Sequence, residues 1–164
     1  MAIILEGFDG AGKSTLASKL KFPVKHAGGP PKTLEQLKKN LREQMEECGN
    51  RVILDRVTCI SHQVYGGNMY DNSLMAYLHA MMDCKNSVLV YCRPPDKVLF
   101  DLSKHEVKEH DSAEHIEDLK QNMRTYIDRY DQLMSKVTHV RYDYTMAGDE
   151  VAFINGLIHS QVKL

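Results

Sequence analysis

The chain carries almost no net charge. Across its 164 residues, 21 lysines and arginines stand against 22 aspartates and glutamates, a formal −1. A global positive field is missing, and with it the nonspecific attraction to nucleic acid or membrane surfaces that such a field supplies. Long hydrophobic runs are missing too. No stretch approaches the roughly 18 apolar residues of a membrane-spanning helix, so no span is expected. The first residues hold no basic cluster and their apolar run is too short for a secretory signal, which makes the cytoplasm the expected compartment. Cysteine is sparse: Cys48, Cys59, Cys84 and Cys92 form no C-x-x-C pair and no zinc-like spacing. They read as reduced structural thiols; Cys84 and Cys92 fall in or beside apolar stretches, where a thiol acts as a small hydrophobe. There is no internal repeat and no low-complexity tract. An Asn-Lys-x-Asp segment, which a guanine-reading nucleotide switch would carry, is also absent.

The bulk composition is that of an ordinary globular domain, with 43% apolar and 26% charged residues. The length suits one domain over 1–164. The informative stretch is Gly7-Phe8-Asp9-Gly10-Ala11-Gly12-Lys13-Ser14, which fits G-x-x-x-x-G-K-[ST] at every fixed position. It follows the apolar, β-branched run Ala2–Leu5, and a helix is expected from about Gly12, which is the context this motif requires. Glycines at both ends let the backbone curl with its N–H groups aimed at phosphate oxygens. Lys13 places a point charge near the β and γ phosphates, Ser14 offers a hydroxyl to Mg²⁺, and the helix start adds its positive end. Gly10, Ala11, Gly12, Lys13, Ser14 and Thr15 are therefore the expected binding residues for ATP.

The rest of the chain alternates. Leu16 and Leu20 face inward from the first helix, and Phe22–His26 reads as a brief strand closed by the breaker Gly28-Gly29-Pro30-Pro31. Thr33 is placed to cap an amphipathic helix with Leu34, Leu37, Leu41 and Met45 on one face, stopped by Gly49-Asn50. Arg51–Arg56 is a strand ending in a charged pair, at the sheet edge where ligands bind. Ser61–Tyr70 reads as a polar segment around Gly66-Gly67, and Asn72–Met82 as a methionine-rich helix facing the core. Val88–Cys92 is apolar enough to be a central strand. Asp96 is placed to cap a helix through Leu102. A charged segment, Ser103–Ser112, forms a candidate lid, and a long helix follows over Ala113–Lys136. Val137–Tyr142 is the last strand and Glu150–Ser160 a closing helix. Strands alternating with helices predict a three-layer α/β domain with a five-stranded, mostly parallel sheet flanked by helices.

Glu6-Gly7-Phe8-Asp9-Gly10-Ala11-Gly12-Lys13-Ser14-Thr15 together with Asp55-Arg56 resembles the thymidylate kinase family of nucleoside monophosphate kinases. Ser61, Tyr65-Gly66 and the strand-then-Pro-Pro turn Val90–Asp96 are similar to later segments of that family. The resemblance implies the P-loop kinase fold with a short lid and transfer of the ATP γ-phosphoryl to a deoxynucleoside monophosphate, dTMP or a modified pyrimidine first. It implies that Asp9 lies near the acceptor sugar, that Arg56 binds the acceptor phosphate, and that Asp55 helps hold Mg²⁺ through water. It also implies dimers through helices, with Asn72–Met82 as the available surface. The chain departs from the family in having His26-Ala27 where Glu-Pro precedes Gly-Gly, and in a lid with lysines and histidines but no arginine. Arg93 is then the expected replacement, reaching back over the donor phosphates, with Arg124 and Arg129 behind it.

Among the remaining residues, Tyr65 is placed to stack on the acceptor base, whereas Phe8 reads as a packing residue within reach of the acceptor. Met146–Asp149 sits where such folds cradle the donor base. His105, His110 and His115 recur every five residues, which aligns no helix face and suits a solvated surface. Two other functions stay open. One keeps the kinase machinery and changes the acceptor to a modified base within DNA, which the near-zero charge does not favour. The other is a non-catalytic ATP-binding switch, for which a second anion site at Arg56 has no use.

Overall fold

The computed structural model describes residues 1–83, 86–101, 113–146, 152 and 156. Five strands, β1 (Ala2–Glu6), β2 (Val24–His26), β3 (Val52–Asp55), β4 (Val88–Cys92) and β5 (Val140–Tyr142), pair in parallel in the order β2-β3-β1-β4-β5. Parallel neighbours need long crossovers. Here α1 (Lys13–Leu20), α2 (Leu34–Glu47), α3 (Thr58–Gly66), α4 (Asn72–Asp83), α5 (Asp96–Leu99) and α6 (Ala113–Met134) lie within them.

Helices on both faces make β1 buried along its whole length. Its period-two alternation divides the core. Ala2 and Ile4 join Leu54, Leu89 and Tyr91 under α3, α4 and the end of α6, where Ile60, Leu78 and Leu133 close the layer. Ile3 and Leu5 join Ile53, Val90 and Cys92 on the other face, covered by Leu16, Leu20 and Ile127. The expected three-layer α/β architecture is the observed one.

Local differences have identifiable causes. The segment after β3 is the helix α3, closed by Gly67 at φ 78°, and not an irregular polar stretch. Its polarity misled because Gln63 is fully buried. The Gln63 side chain donates to the Cys59 carbonyl and accepts from the Tyr70 amide, so it is consumed inside the fold. Asp96 does not cap α5; Pro95 holds that position, and the Asp96 carboxylate pairs with Arg93 and Arg124. Thr33 does cap α2, accepting the Gln36 amide at 3.1 Å, yet Leu34 on the expected apolar face is 64% exposed. The methionine-rich helix α4 faces the core as expected, with Leu74, Leu78 and Met81 buried. Among the described residues no helix is long and apolar enough to cross a membrane. Cys84, the lid Ser103–Ser112, Ala147–Asp149, the side chains of His115, Ile116 and Leu119, and the closing helix, apart from helical Ala152 and Gly156, lie outside the described residues.

The helix α2 carries a second stripe. Asn40, Glu43, Gln44 and Glu47, spaced three and four apart, share one face and meet the ends of β2 and β3. Gln44 anchors it: its amide nitrogen donates to Thr58 Oγ1 at 3.0 Å while its oxygen accepts the Thr58 amide at 2.8 Å. That oxygen supplies one of the N–H partners that the first turn of α3 lacks. Gln44→Ala leaves a buried amide and hydroxyl unpaired, and the expected loss is about 1–3 kcal/mol in urea denaturation.

Candidate active site

The loop after β1 is held in place by steric necessity. Gly7 has φ +145°, and a Cβ there would lie 2.5 Å from the Cys92 carbonyl oxygen. Gly12, the N-cap of α1, has φ +92°, and a Cβ there would meet the Tyr144 ring at 2.7 Å. Only glycine fits either place, because both the backbone angle and the space exclude a side chain. The loop is thus clamped between the end of β4 and a ring that follows β5. Ser14 and Thr15 are exposed at the head of α1, and Lys13 behind them is buried.

Two cations converge on one oxygen. Lys13 Nζ donates to the carbonyls of Gly7 at 2.8 Å and Phe8 at 3.0 Å. Arg56 Nη2 approaches the same Gly7 carbonyl at 3.4 Å and donates to Asp9 Oδ1 at 2.5 Å. Burial lowers the Lys13 pKa, and the neighbouring Arg56 charge lowers it further against the pull of Asp9, Asp55 and Glu6. Arg56 reaches this point through an unusual backbone, φ 67°, with its amide on the Leu5 carbonyl at 2.9 Å. A left-handed arginine costs of the order of 1–3 kcal/mol, and such strain persists where the surroundings fix it.

Glu6 provides that fixing. Its carboxyl, sealed from solvent, accepts the Val57 amide at 2.7 Å and the Tyr130 hydroxyl at 3.1 Å. Val57 directly follows Arg56, and Tyr130 comes from α6, so one carboxyl joins β1, the turn after β3 and the long helix. The sequence motif contained Glu6 but assigned it no role; only the fold shows what it holds.

The residues expected to contact the acceptor divide into two groups. Arg56 and Asp9 come together at the loop, with the Asp9 side chain 56% exposed. Phe8 is 4% exposed and stacks on Tyr126 with ring centroids 6.4 Å apart. Tyr65 packs on Tyr126 at 4.9 Å and Tyr130 at 5.9 Å, with the Arg56 guanidinium 5.6 Å from its ring centre. These rings form a seat behind Arg56. Arg93, expected over the donor phosphates, is a structural tie. It is 7% exposed, grips Asp131 through Nε at 2.9 Å and Nη2 at 3.1 Å, and also donates to Asp96 and the Pro94 carbonyl. Arg124 lies over Phe100 and pairs with Asp96, and Arg129 donates to the Val64 carbonyl at 2.9 Å. Cys48, Cys59 and Cys92 are buried, and burial pushes Cys92 up to about 12, which leaves it an inert thiol.

Asp55 Oδ2 pairs with His26 Nδ1 at 2.9 Å, while Asp55 Oδ1 is buried without a hydrogen-bond partner. An orphaned carboxylate oxygen at this edge, with the Ser14 hydroxyl at the head of α1, fits a hydrated Mg²⁺, which keeps most of its waters and takes few protein ligands. Among the described residues no group of three or more His, Cys, Asp or Glu is arranged to hold a metal by itself. Beside the site, a cavity of about 310 Å³ opens between the ends of β2 and β3 and the polar stripe of α2. Arg56, Lys25 and His26 stand on its sheet side, and Asn40, Glu43 and Glu47 on its helix side.

No protein-family model and no curated protein sequence matches the chain. Solved structures do. The YorR protein of Bacillus subtilis, crystallised in complex with phosphorylated GDP, aligns over 100% of this chain and 99% of its own, with TM-score 0.74 and 21% identity. Shikimate kinase from Acinetobacter baumannii in complex with shikimate aligns over 99% and 93%, with TM-score 0.61 and 16% identity. Thymidylate kinase from Ehrlichia chaffeensis aligns over 100% and 98%, with TM-score 0.51 and 16% identity. The chain has the P-loop kinase fold, and the likeness does not single out thymidylate kinase.

Burial pushes Glu6 up to about 7 against the Val57 amide, Arg56, Lys13 and Tyr130, which all pull it down. A carboxyl whose pKa is raised in the fold contributes full stability below its ordinary value near 4.5 and loses it as pH rises through about 7. The difference in melting temperature between the wild type and Glu6→Gln, an isostere of the neutral acid, is expected to shift in favour of the variant across that window. Parallel melting curves at all pH values would refute this assignment.

Proposed function

We propose that this protein is a kinase that transfers the ATP γ-phosphoryl to a deoxynucleoside monophosphate, with dTMP or a modified pyrimidine as the acceptor class that the motif resemblance puts first. The observation that carries the reading is the meeting of Lys13 and Arg56 on the Gly7 carbonyl. A loop that binds one nucleotide needs only the lysine. A second cation, brought from another strand at the cost of a strained backbone, supports a second anion at the same rim.

The chemistry asked of these residues is modest. An oxygen of the acceptor phosphate attacks the γ-phosphorus, the bond to the β–γ bridging oxygen breaks, and ADP leaves with that electron pair. Such a transfer gains little from covalent help and much from alignment and charge neutralisation. Lys13 leaves the Gly7 and Phe8 carbonyls for donor phosphate oxygens, which accept more strongly. Arg56 orients the acceptor phosphate, and Asp9 buffers its charge and stands close to the acceptor sugar. Ser14, with Asp55 through water, would hold Mg²⁺, which supplies further charge neutralisation on the triphosphate. The phosphorylated GDP in the YorR complex agrees with nucleotide use by this fold.

An ADP-release assay over the common deoxynucleoside monophosphates tests the reading. Arg56→Ala is expected to lower transfer by about 100-fold or more, with ATP affinity by titration calorimetry kept within a few-fold. Equal loss of ATP binding would mean that no separate acceptor site exists.

A further inference from the structure

The cavity beside Arg56 is polar on almost every side. Of its walls, only Ala27 and Leu54 are apolar, and no Phe, Tyr or Trp ring lines it among the described residues. Tyr65, the ring expected to stack on a base, packs on Tyr126 and Tyr130, and Phe8 packs on Tyr126. A polar helix stripe normally faces water. Here it faces a cavity whose opposite wall is cationic, and its central residue, Gln44, is locked to Thr58, so the wall does not swing away.

We infer that the body of the acceptor lies in this cavity, against α2, and that the acceptor is a nucleotide whose base carries an exocyclic N–H or O–H donor, an amino- or hydroxyalkyl-substituted base in preference to thymine. The inference rests on the reading above, in which Arg56 holds the acceptor phosphate. Carboxylates accept hydrogen bonds and cannot donate them, and each has about four acceptor positions. Among the described residues Glu43 pairs with Lys39 at 3.8 Å, where both side chains are mostly exposed, and Glu47 takes one long bond from Asn50 at 3.3 Å. Both keep acceptor capacity toward the cavity. Asn40, one turn before Gln44, supplies an amide that reads either sense. The site is polarised: cations at the sheet rim for a phosphate, acceptors along the helix for donors on the base. Thymine has one donor, its ring N3–H set between two carbonyl oxygens, and cannot serve two carboxylates at once; an exocyclic amino or hydroxyl group supplies the donor that thymine lacks. The volume, about 310 Å³, lies at the small end of ligand pockets and suits a single small ligand.

The test compares kcat/KM for dTMP, dCMP, dAMP, dGMP and 5-hydroxymethyl-dUMP on the full chain. At least one monophosphate with an exocyclic donor on its base is expected to exceed dTMP by about tenfold or more. The double variant Glu43→Gln, Glu47→Gln keeps side-chain size and replaces pure acceptors by amides. It is expected to narrow that ratio severalfold, through the acceptor KM, with the KM for ATP unchanged. Asn40→Leu, an independent change on the same wall, is expected to raise the acceptor KM likewise. dTMP as the best wild-type acceptor, or a ranking and acceptor KM unmoved by both variants, overturns this inference while transfer itself stands. Turnover of none of the monophosphates overturns the kinase reading, and this inference with it.

Discussion

The carboxyl of Glu6 has no contact with water, and the arrangement of both site cations depends on it. A buried carboxyl is tolerated only where its lone pairs are used. Here one oxygen takes the amide of Val57 and the other the hydroxyl of Tyr130, groups from the turn after β3 and from α6. The central strand, the residue after Arg56 and the longest helix are therefore joined by one group at the mouth of the phosphate loop. Removing it would free the turn that delivers Arg56.

From that junction the site follows by sterics and charge. The loop is pressed between the Cys92 carbonyl and the Tyr144 ring, which forces glycine at 7 and 12. Lys13 and Arg56, like charges on one carbonyl, are held together by Asp9, Asp55 and Glu6 around them. Tyr65, Tyr126 and Tyr130 form the apolar seat that keeps Arg56 facing the loop. This cationic pair is the feature on which the proposed binding of two phosphates rests.

The buried polar side chains tell a consistent story elsewhere. Gln44 and Gln63 sit inside the fold because each completes backbone groups that a helix end or a loop leaves open. Arg93 behaves similarly, tying the end of β4 to α5 and α6 through Asp96 and Asp131. Its guanidinium also donates to the neighbouring Pro94 carbonyl.

The sequence alone determined the nucleotide loop, the strand-helix alternation and the charged pair at the end of β3, because these are local: apolar period, glycine placement and a fixed motif spacing need no distant partner. It also identified the capping role of Thr33 and the core face of α4. Tertiary structure decided the rest. Glu6 acquires its partners from residues 51 and 124 positions away, Arg93 from one 38 positions away, and the stripe on α2 acquires meaning only when β2 and β3 bring cations opposite it. A polar residue in a sequence reads as solvated until the fold shows which backbone group it satisfies, and that pairing is long-range by nature.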